Sequence, residues 1–285
     1  MTDNKDFNID AFLLGVPKGA STWIYRCLQE RDDTIVPSSD SLRFFDMKYH
    51  KGYAWYQSFF QQANSAQLVV DPSPTYLRSQ LAAERIHARY PDARFIICLR
   101  NPVERAFSQF WHEKKEGNFG FEFKDVLDSL LLNSWFIETG NYATQLETWF
   151  KYFPQEQFHI VYFEDLKKDP LSFIKSIYVF LNVDDSFIPS VINKKVNEAG
   201  VKSTSAVNAI KKFKKSEFAS LIKAPLKKWL NNNDMGANLV SSISNKKEYE
   251  QGMSEKLREE LLSIYMPQII KLEKMLAVDL SSWKQ

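Results

Sequence analysis

The sequence predicts an α/β fold, a parallel sheet covered by helices, on three observations. Four short apolar runs, residues 9–16, 68–71, 94–99 and 158–163, are rich in Ile, Val, Leu and Phe. Each run ends in polar or Pro-bearing residues. Helical spacing of apolar residues follows most of them, and strands alternating with helices in this way form a parallel sheet.

In chain order, the first run leads into helical spacing over 22–29, the second into 77–90 and the third into 103–116. Residues 142–153 carry another helical pattern ahead of the fourth run. Pro170 suits a first helical turn, with 171–181 as its helix. Residues 254–276 predict a long amphipathic helix interrupted at Pro267. Between 182 and 252 the chain turns rich in Lys, Ser and Asn and poor in strand patterns. This stretch predicts a helical or loop excursion, a candidate cover for a site, within a single domain spanning 1–285.

Bulk composition narrows the function. The chain has 285 residues and a net charge of only +2, so it lacks the global basic signature of a nucleic-acid binder. Any anion site must come from local Lys, Arg and backbone N–H groups. Cys27 and Cys98 lie in apolar stretches, which favours buried thiols over a disulfide framework. The scattered Cys and His residues give no metal-ligand spacing. The N-terminus is polar and acidic, unlike a signal peptide, and no apolar run is long enough for a transmembrane segment. A cytoplasmic protein is the expectation.

The strongest local signal is FLLGVPKGASTWIYRCL, residues 12–28. An apolar strand runs into a loop with Gly15 and Gly19, and a helix starts at Ser21 or Thr22. Unpaired N–H groups and the helix dipole favour an anion at such a turn. Lys18 adds a cation, and two hydroxyls add donors. The order differs from GxxxxGK[ST], because Lys18 precedes Gly19 and stands three residues ahead of Ser21, so the site need not hold a metal–triphosphate. The plain alternative is a strand–turn–helix with a capping Ser or Thr.

A second signal is RFIICLRNPVERAFSQFWH, residues 94–112. A strand ends at Arg100 and Asn101, and Pro102 sits where a helix begins. Ser108 falls about two turns into that helix, with His112 at i+4 on the same face. A guanidinium at a strand end and a helix hydroxyl can grip a second phosphate; the alternative is a surface Arg and an ordinary helix Ser. Two phosphate sites on one sheet edge suit a nucleotide phosphorylated at both ends of its ribose.

Together these residues resemble the sulfotransferase family that uses 3′-phosphoadenosine 5′-phosphosulfate (PAPS), most of all its bacterial and heparan-sulfate-type members. GVPKGASTW resembles the family's 5′-phosphosulfate loop, and LRNPVERAFSQF its 3′-phosphate motif. Residues 44–60, 69–77, 140–170 and 261–283 are similar to further family segments, in family order. The resemblance implies a three-layer α/β/α, P-loop-NTPase-like fold. It implies that Lys18, Gly19, Ser21 and Thr22 hold the 5′-phosphosulfate, within a loop running from Gly15 through Ala20 to Trp23. It implies that Arg100 and Ser108 hold the 3′-phosphate. The activity implied is sulfuryl transfer from PAPS to a hydroxyl or amine of a saccharide or small metabolite, with no metal required and Lys18 stabilising the leaving phosphate.

Three departures stand out. In the heparan-type relatives a Lys-Glu pair precedes the Phe-Phe, and the Glu is the base; here Asp40 and Ser41 take those places ahead of Phe44-Phe45. Asp40 and His112 are the candidate bases. Ala20 stands where the family usually has Gly. Lys202, after Gly200, is the stand-in for the family's late basic loop. A module that binds nucleotide without turnover is the alternative that Ser41 raises, and an ATP-dependent phosphotransferase is a weaker one. Residues 207–230 space apolar side chains helically among clustered lysines. They fit either contact with an anionic surface or a core-packed helix with a solvated face.

Overall fold

The computed structural model describes residues 8–60, 67–115, 122–192 and 252–285. The sheet consists of β1 (Ala11–Gly15), β2 (Thr34–Ile35), β3 (Leu68–Asp71), β4 (Arg94–Leu99) and β5 (Phe158–Tyr162). All pairings are parallel and the order is β2-β3-β1-β4-β5. The four predicted runs thus form strands. The fifth strand, β2, is two residues long, too short to show a period.

Alternate side chains leave the sheet on opposite faces, as the pleat requires. Phe12, Leu14, Phe95, Ile97 and Leu99 join one buried cluster. Leu13, Val70, Ile96, Cys98 and Val161 join another. On the first face lie α3 (Gln80–Arg89), α4 (Pro102–Lys115), α7 (Tyr142–Trp149) and α10 (Glu255–Leu276), through residues such as Ile86, Phe110, Trp149 and Ile269. On the second lie α1 (Ser21–Gln29) and α9 (Pro170–Leu181), through Ile24, Leu28, Ile174 and Ile177. Helices on both faces make three layers, as the resemblance implied. Shorter helices are α2 (Tyr53–Gln57), α5 (Phe123–Asp128), α6 (Leu130–Phe136) and α8 (Phe163–Lys168). Cys27 and Cys98 are buried free thiols.

Two local expectations are corrected. Pro267 stays inside α10, which runs unbroken from 255 to 276. Residues 76–78 form a separate 3₁₀ turn, and α3 starts only after Ser79, whose hydroxyl caps Ala82 N–H. The helix after β1 starts at Ser21, as the sequence predicts, with Ala20 as its N-cap in the left-handed region and no side-chain cap bond, so the plain alternative of a capping Ser or Thr does not hold.

The topology selects one end of the sheet. From β1 the chain passes through α1 on one face to β2 and β3; from β3 it crosses through α3 on the other face to β4. The direction of winding therefore reverses at β1, and in open α/β sheets the crevice outside the strand C-termini at such a point receives ligands. Among the described residues no helix is long and apolar enough to cross a membrane.

Candidate active site

The loop after β1 is seated by backbone contact. Val16 N–H donates to Cys98 O at 3.2 Å, and Gly19 N–H donates to Val16 O at 2.9 Å. A Cβ at Gly19 would run into the Cys98 carbonyl oxygen, so only glycine lets the loop close on the end of β4. Gly15 has φ +147°, and a Cβ there would stand 2.7 Å from Pro74 O in the exit from β3. Lys18 (φ 69°) and Ala20 (φ 67°) take left-handed conformations that strain an L side chain. The methyl of Ala20 packs against the core on the α1 side, so its cost lies in the backbone angle. Ser21 and Thr22 open α1, where helix geometry leaves their N–H groups pointing out of the end. Trp23 turns away: it is 6% exposed and packs edge-on against Phe173, so its side chain belongs to the core.

The loop after β4 reaches the first. Arg100 Nη1 donates to Lys18 O at 3.2 Å, and its guanidinium lies 4.7 Å from the Phe163 ring centroid. The Arg100 carbonyl accepts from the Tyr142 hydroxyl at 2.9 Å. Tyr142 is thus fully buried packing under this loop, where burial holds its phenol far above the usual range. Asn101 starts α4, its Oδ1 accepting from Val103 and Glu104 N–H. Glu164 anchors the same corner by accepting from Asn101 N–H at 3.3 Å. Ser108 is half-buried two turns into α4, and His112 is exposed one turn further.

Across the crevice, Thr22 Oγ1 donates to Asp40 Oδ2 at 3.2 Å. The sheet thus brings Asp40 onto the rim of the Lys18 loop. Ser41, beside it, is partly exposed. Lys202, the Lys-rich excursion from 193 onward and the 207–230 pattern lie outside the described residues.

The structure adds residues that sequence reasoning passed over. A π-helical turn, Phe44–Lys48, carries Asp46, whose side chain is 9% exposed; its Oδ2 accepts from Thr75 at 2.7 Å and lies 3.7 Å from Arg43 Nε. Asp46 Oδ1 and Arg43 Nε are buried and have no hydrogen-bond partner among the described residues. Arg78 stacks over Trp135 at 4.4 Å, with Arg43 6.0 Å from the same ring. Burial, and then Arg43 nearby, lower the Arg78 pKa. No periodicity marks this group, because it is drawn from the 43–46 turn, the β3 exit and α6. The Asp at the end of the LVVD run is its one legible trace.

Fold and crevice together define an α/β protein of P-loop-like architecture in which the Lys18 and Arg100 loops meet at the tips of β1 and β4. The chain belongs to the sulfotransferase domain family, whose model matches residues 8–275. It is 31% identical over 179 residues to the mouse heparan sulfate glucosamine 3-O-sulfotransferase 3B1, covering 61% of this chain and 46% of that one. It is 32% identical over 178 residues to the human heparan sulfate glucosamine 3-O-sulfotransferase 6, covering 61% and 52%. The chain thus spans about half the length of the curated relatives it matches. Among solved structures, a sulfotransferase from Alicyclobacillus acidocaldarius superposes with a TM-score of 0.70 at 22% identity, covering 98% of this chain and 100% of that one, a likeness of fold.

Proposed function

We propose that this protein transfers a sulfuryl group from PAPS to an acceptor hydroxyl, with a saccharide as the acceptor class. The observation that carries the reading is the Arg100–Lys18 hydrogen bond of 3.2 Å, which ties the two phosphate-type loops together at the tips of adjacent strands. Loops joined there suit one nucleotide bearing phosphate at both ends of its ribose. The relatives named for heparan sulfate glucosamine support a sugar hydroxyl as acceptor.

In this reading Lys18 and the N–H groups of Ser21 and Thr22 take up the charge that grows on the leaving phosphate. Arg100 and Ser108 hold the 3′-phosphate and fix the donor's orientation. Asp40 removes the acceptor proton, and its contact with Thr22 sets it beside the Lys18 loop. The orphaned polar atoms of Arg43 and Asp46, with the Arg78–Trp135 stack, form the acceptor side. A sugar can hydrogen-bond such groups and lie on an indole face.

The second reading, a nucleotide-binding module without turnover, draws on Ser41 at the family's base position. The Asp40–Thr22 contact favours the active enzyme. Radiolabelled PAPS incubated with a panel of oligosaccharides tests both: labelled product and bisphosphoadenosine form, and Lys18→Ala slows the reaction by about a hundredfold or more. Tight bisphosphoadenosine binding with no product from any acceptor would select the module.

A further inference from the structure

Three consecutive N–H groups, those of Arg43, Phe44 and Phe45, open the 44–48 turn, and the Arg43 side chain does not cap it. A helical turn cannot satisfy such donors internally. Two hydroxyls from the β3 exit do so. Ser73 Oγ accepts from Arg43 at 3.3 Å, and Tyr76 Oη accepts from Phe44 at 2.9 Å and Phe45 at 3.2 Å.

Each hydroxyl has a single proton, and both protons go to one carboxylate. Ser73 donates to Asp71 Oδ1 at 2.6 Å, and Tyr76 donates to Oδ2 at 3.1 Å. Tyr56, from α2, donates to the same Oδ2 at 2.8 Å. A hydroxyl committed to a carboxylate is the better acceptor, because hydrogen-bond chains polarise one another. The direction of every bond in the network thus follows from the charge on Asp71, which is fully buried. The segment held this way continues back through Leu42 and Ser41 to Asp40, which touches Thr22.

We propose that Asp71 is a positioning residue: through Ser73 and Tyr76 it holds residues 43–45, and so sets where Asp40 and Arg43 stand in the crevice. The role presupposes sulfuryl transfer at the Lys18 loop.

Asp71 acts here at a cost to the fold. Burial raises its pKa to about 6, and the hydroxyls of Ser73, Tyr56 and Tyr76 offset this only in part. The titratable groups facing it are Tyr56 from α2, Tyr76 from the 76–78 turn and Asp46 from the 44–48 turn, the last raising the pKa further and itself beside Arg43. Tyr90 stands behind Tyr56. Between the usual carboxylate range and pH about 6, the folded chain holds a proton that the unfolded chain has lost. Stability from this group is therefore lost as pH rises through that window. Above it the ionised Asp71 is less favourable to the fold than the protonated form.

Asp71→Asn keeps the shape but introduces an NH₂ donor, so the hydroxyls can no longer all point inward. In the full chain, amide exchange at 43–45 should speed about tenfold or more while β1 and α1 stay protected. Bisphosphoadenosine affinity should stay within about twofold, and the melting temperature near pH 7.5 within about 3 °C. Single-turnover cleavage of PAPS, with water as acceptor, should slow about tenfold or more. The wild-type rate should fall on the acid side of about pH 6, and this limb should vanish in Asp71→Asn. Tyr76→Phe removes the relay but not the carboxylate, and the double variant should lose no more than the worse single one. Unchanged exchange at 43–45, additive losses, or a limb near pH 6 that survives in Asp71→Asn overturns the proposal. If the wild type fails to bind bisphosphoadenosine, the sulfotransferase reading falls and takes the catalytic consequence with it. The exchange arm, which needs neither donor nor acceptor, still decides whether Asp71 holds 43–45.

Discussion

At the tips of β1 and β4 the chain is held backbone against backbone, whereas at the tip of β3 it is held by hydroxyls around one carboxylate. Gly15 and Gly19 let main-chain atoms of neighbouring segments meet where a Cβ would collide. On the other side, the start of the 44–48 turn hangs on Ser73, Tyr76 and Asp71. The first construction is stiff and tolerates little change, which suits a site for an invariant nucleotide. The second can be altered one side chain at a time, which suits a wall that must match an acceptor.

That contrast breaks most sharply at Gly19. Gly19→Ala should lose about 3 kcal/mol or more of stability, because the obstacle is the Cys98 carbonyl and not a movable side chain. Thermal unfolding and a bisphosphoadenosine titration should both collapse. A variant with wild-type melting and affinity would show that the loop is not seated by close approach.

The next effect separates the two candidate bases. Asp40→Asn should slow sulfuryl transfer about a hundredfold or more, with bisphosphoadenosine affinity changed about threefold at most, since the Thr22 contact survives as an amide. His112→Asn, on the exposed side of α4, should leave the rate within about threefold. Parallel initial-rate measurements on the two variants decide, and the reverse ranking would move the proton-accepting role to α4.

The smallest effect lies at Ala20. Its left-handed backbone favours glycine, so Ala20→Gly should gain about 1 kcal/mol or somewhat less, a rise of about 2 °C in Tm. A lower Tm would mean that the methyl's packing against the α1-side core outweighs the strain.

The same contrast explains what was legible in the sequence. Residues 9–16 and 94–99 announce their strands because buried parallel strands are nearly unbroken apolar runs, and their loops announce themselves through Gly15, Gly19, Lys18 and Arg100. The helix start at Ser21 was legible too, although its N-cap, Ala20 in the left-handed region, was not. Pro267 looked like a break, but α10 accommodates it within a long packed helix. The β3-side group left one trace, the Asp that ends the LVVD run. The 43–46 turn, Arg78 and Trp135 are far apart in sequence, and only the tertiary fold brings them near one another. Asp71 is a single acidic residue ending an apolar run, and its meaning depends on three hydroxyls that only the fold brings to it.

The most direct test is a calorimetric titration of 3′,5′-bisphosphoadenosine against adenosine 5′-monophosphate, on the wild type and on Arg100→Ala. Two joined anchors predict that the bisphosphate binds tighter by about a hundredfold or more. They also predict that Arg100→Ala reduces the gap to about fivefold or less. Equal binding of the two nucleotides, or a gap that persists without Arg100, would contradict the two-anchor site.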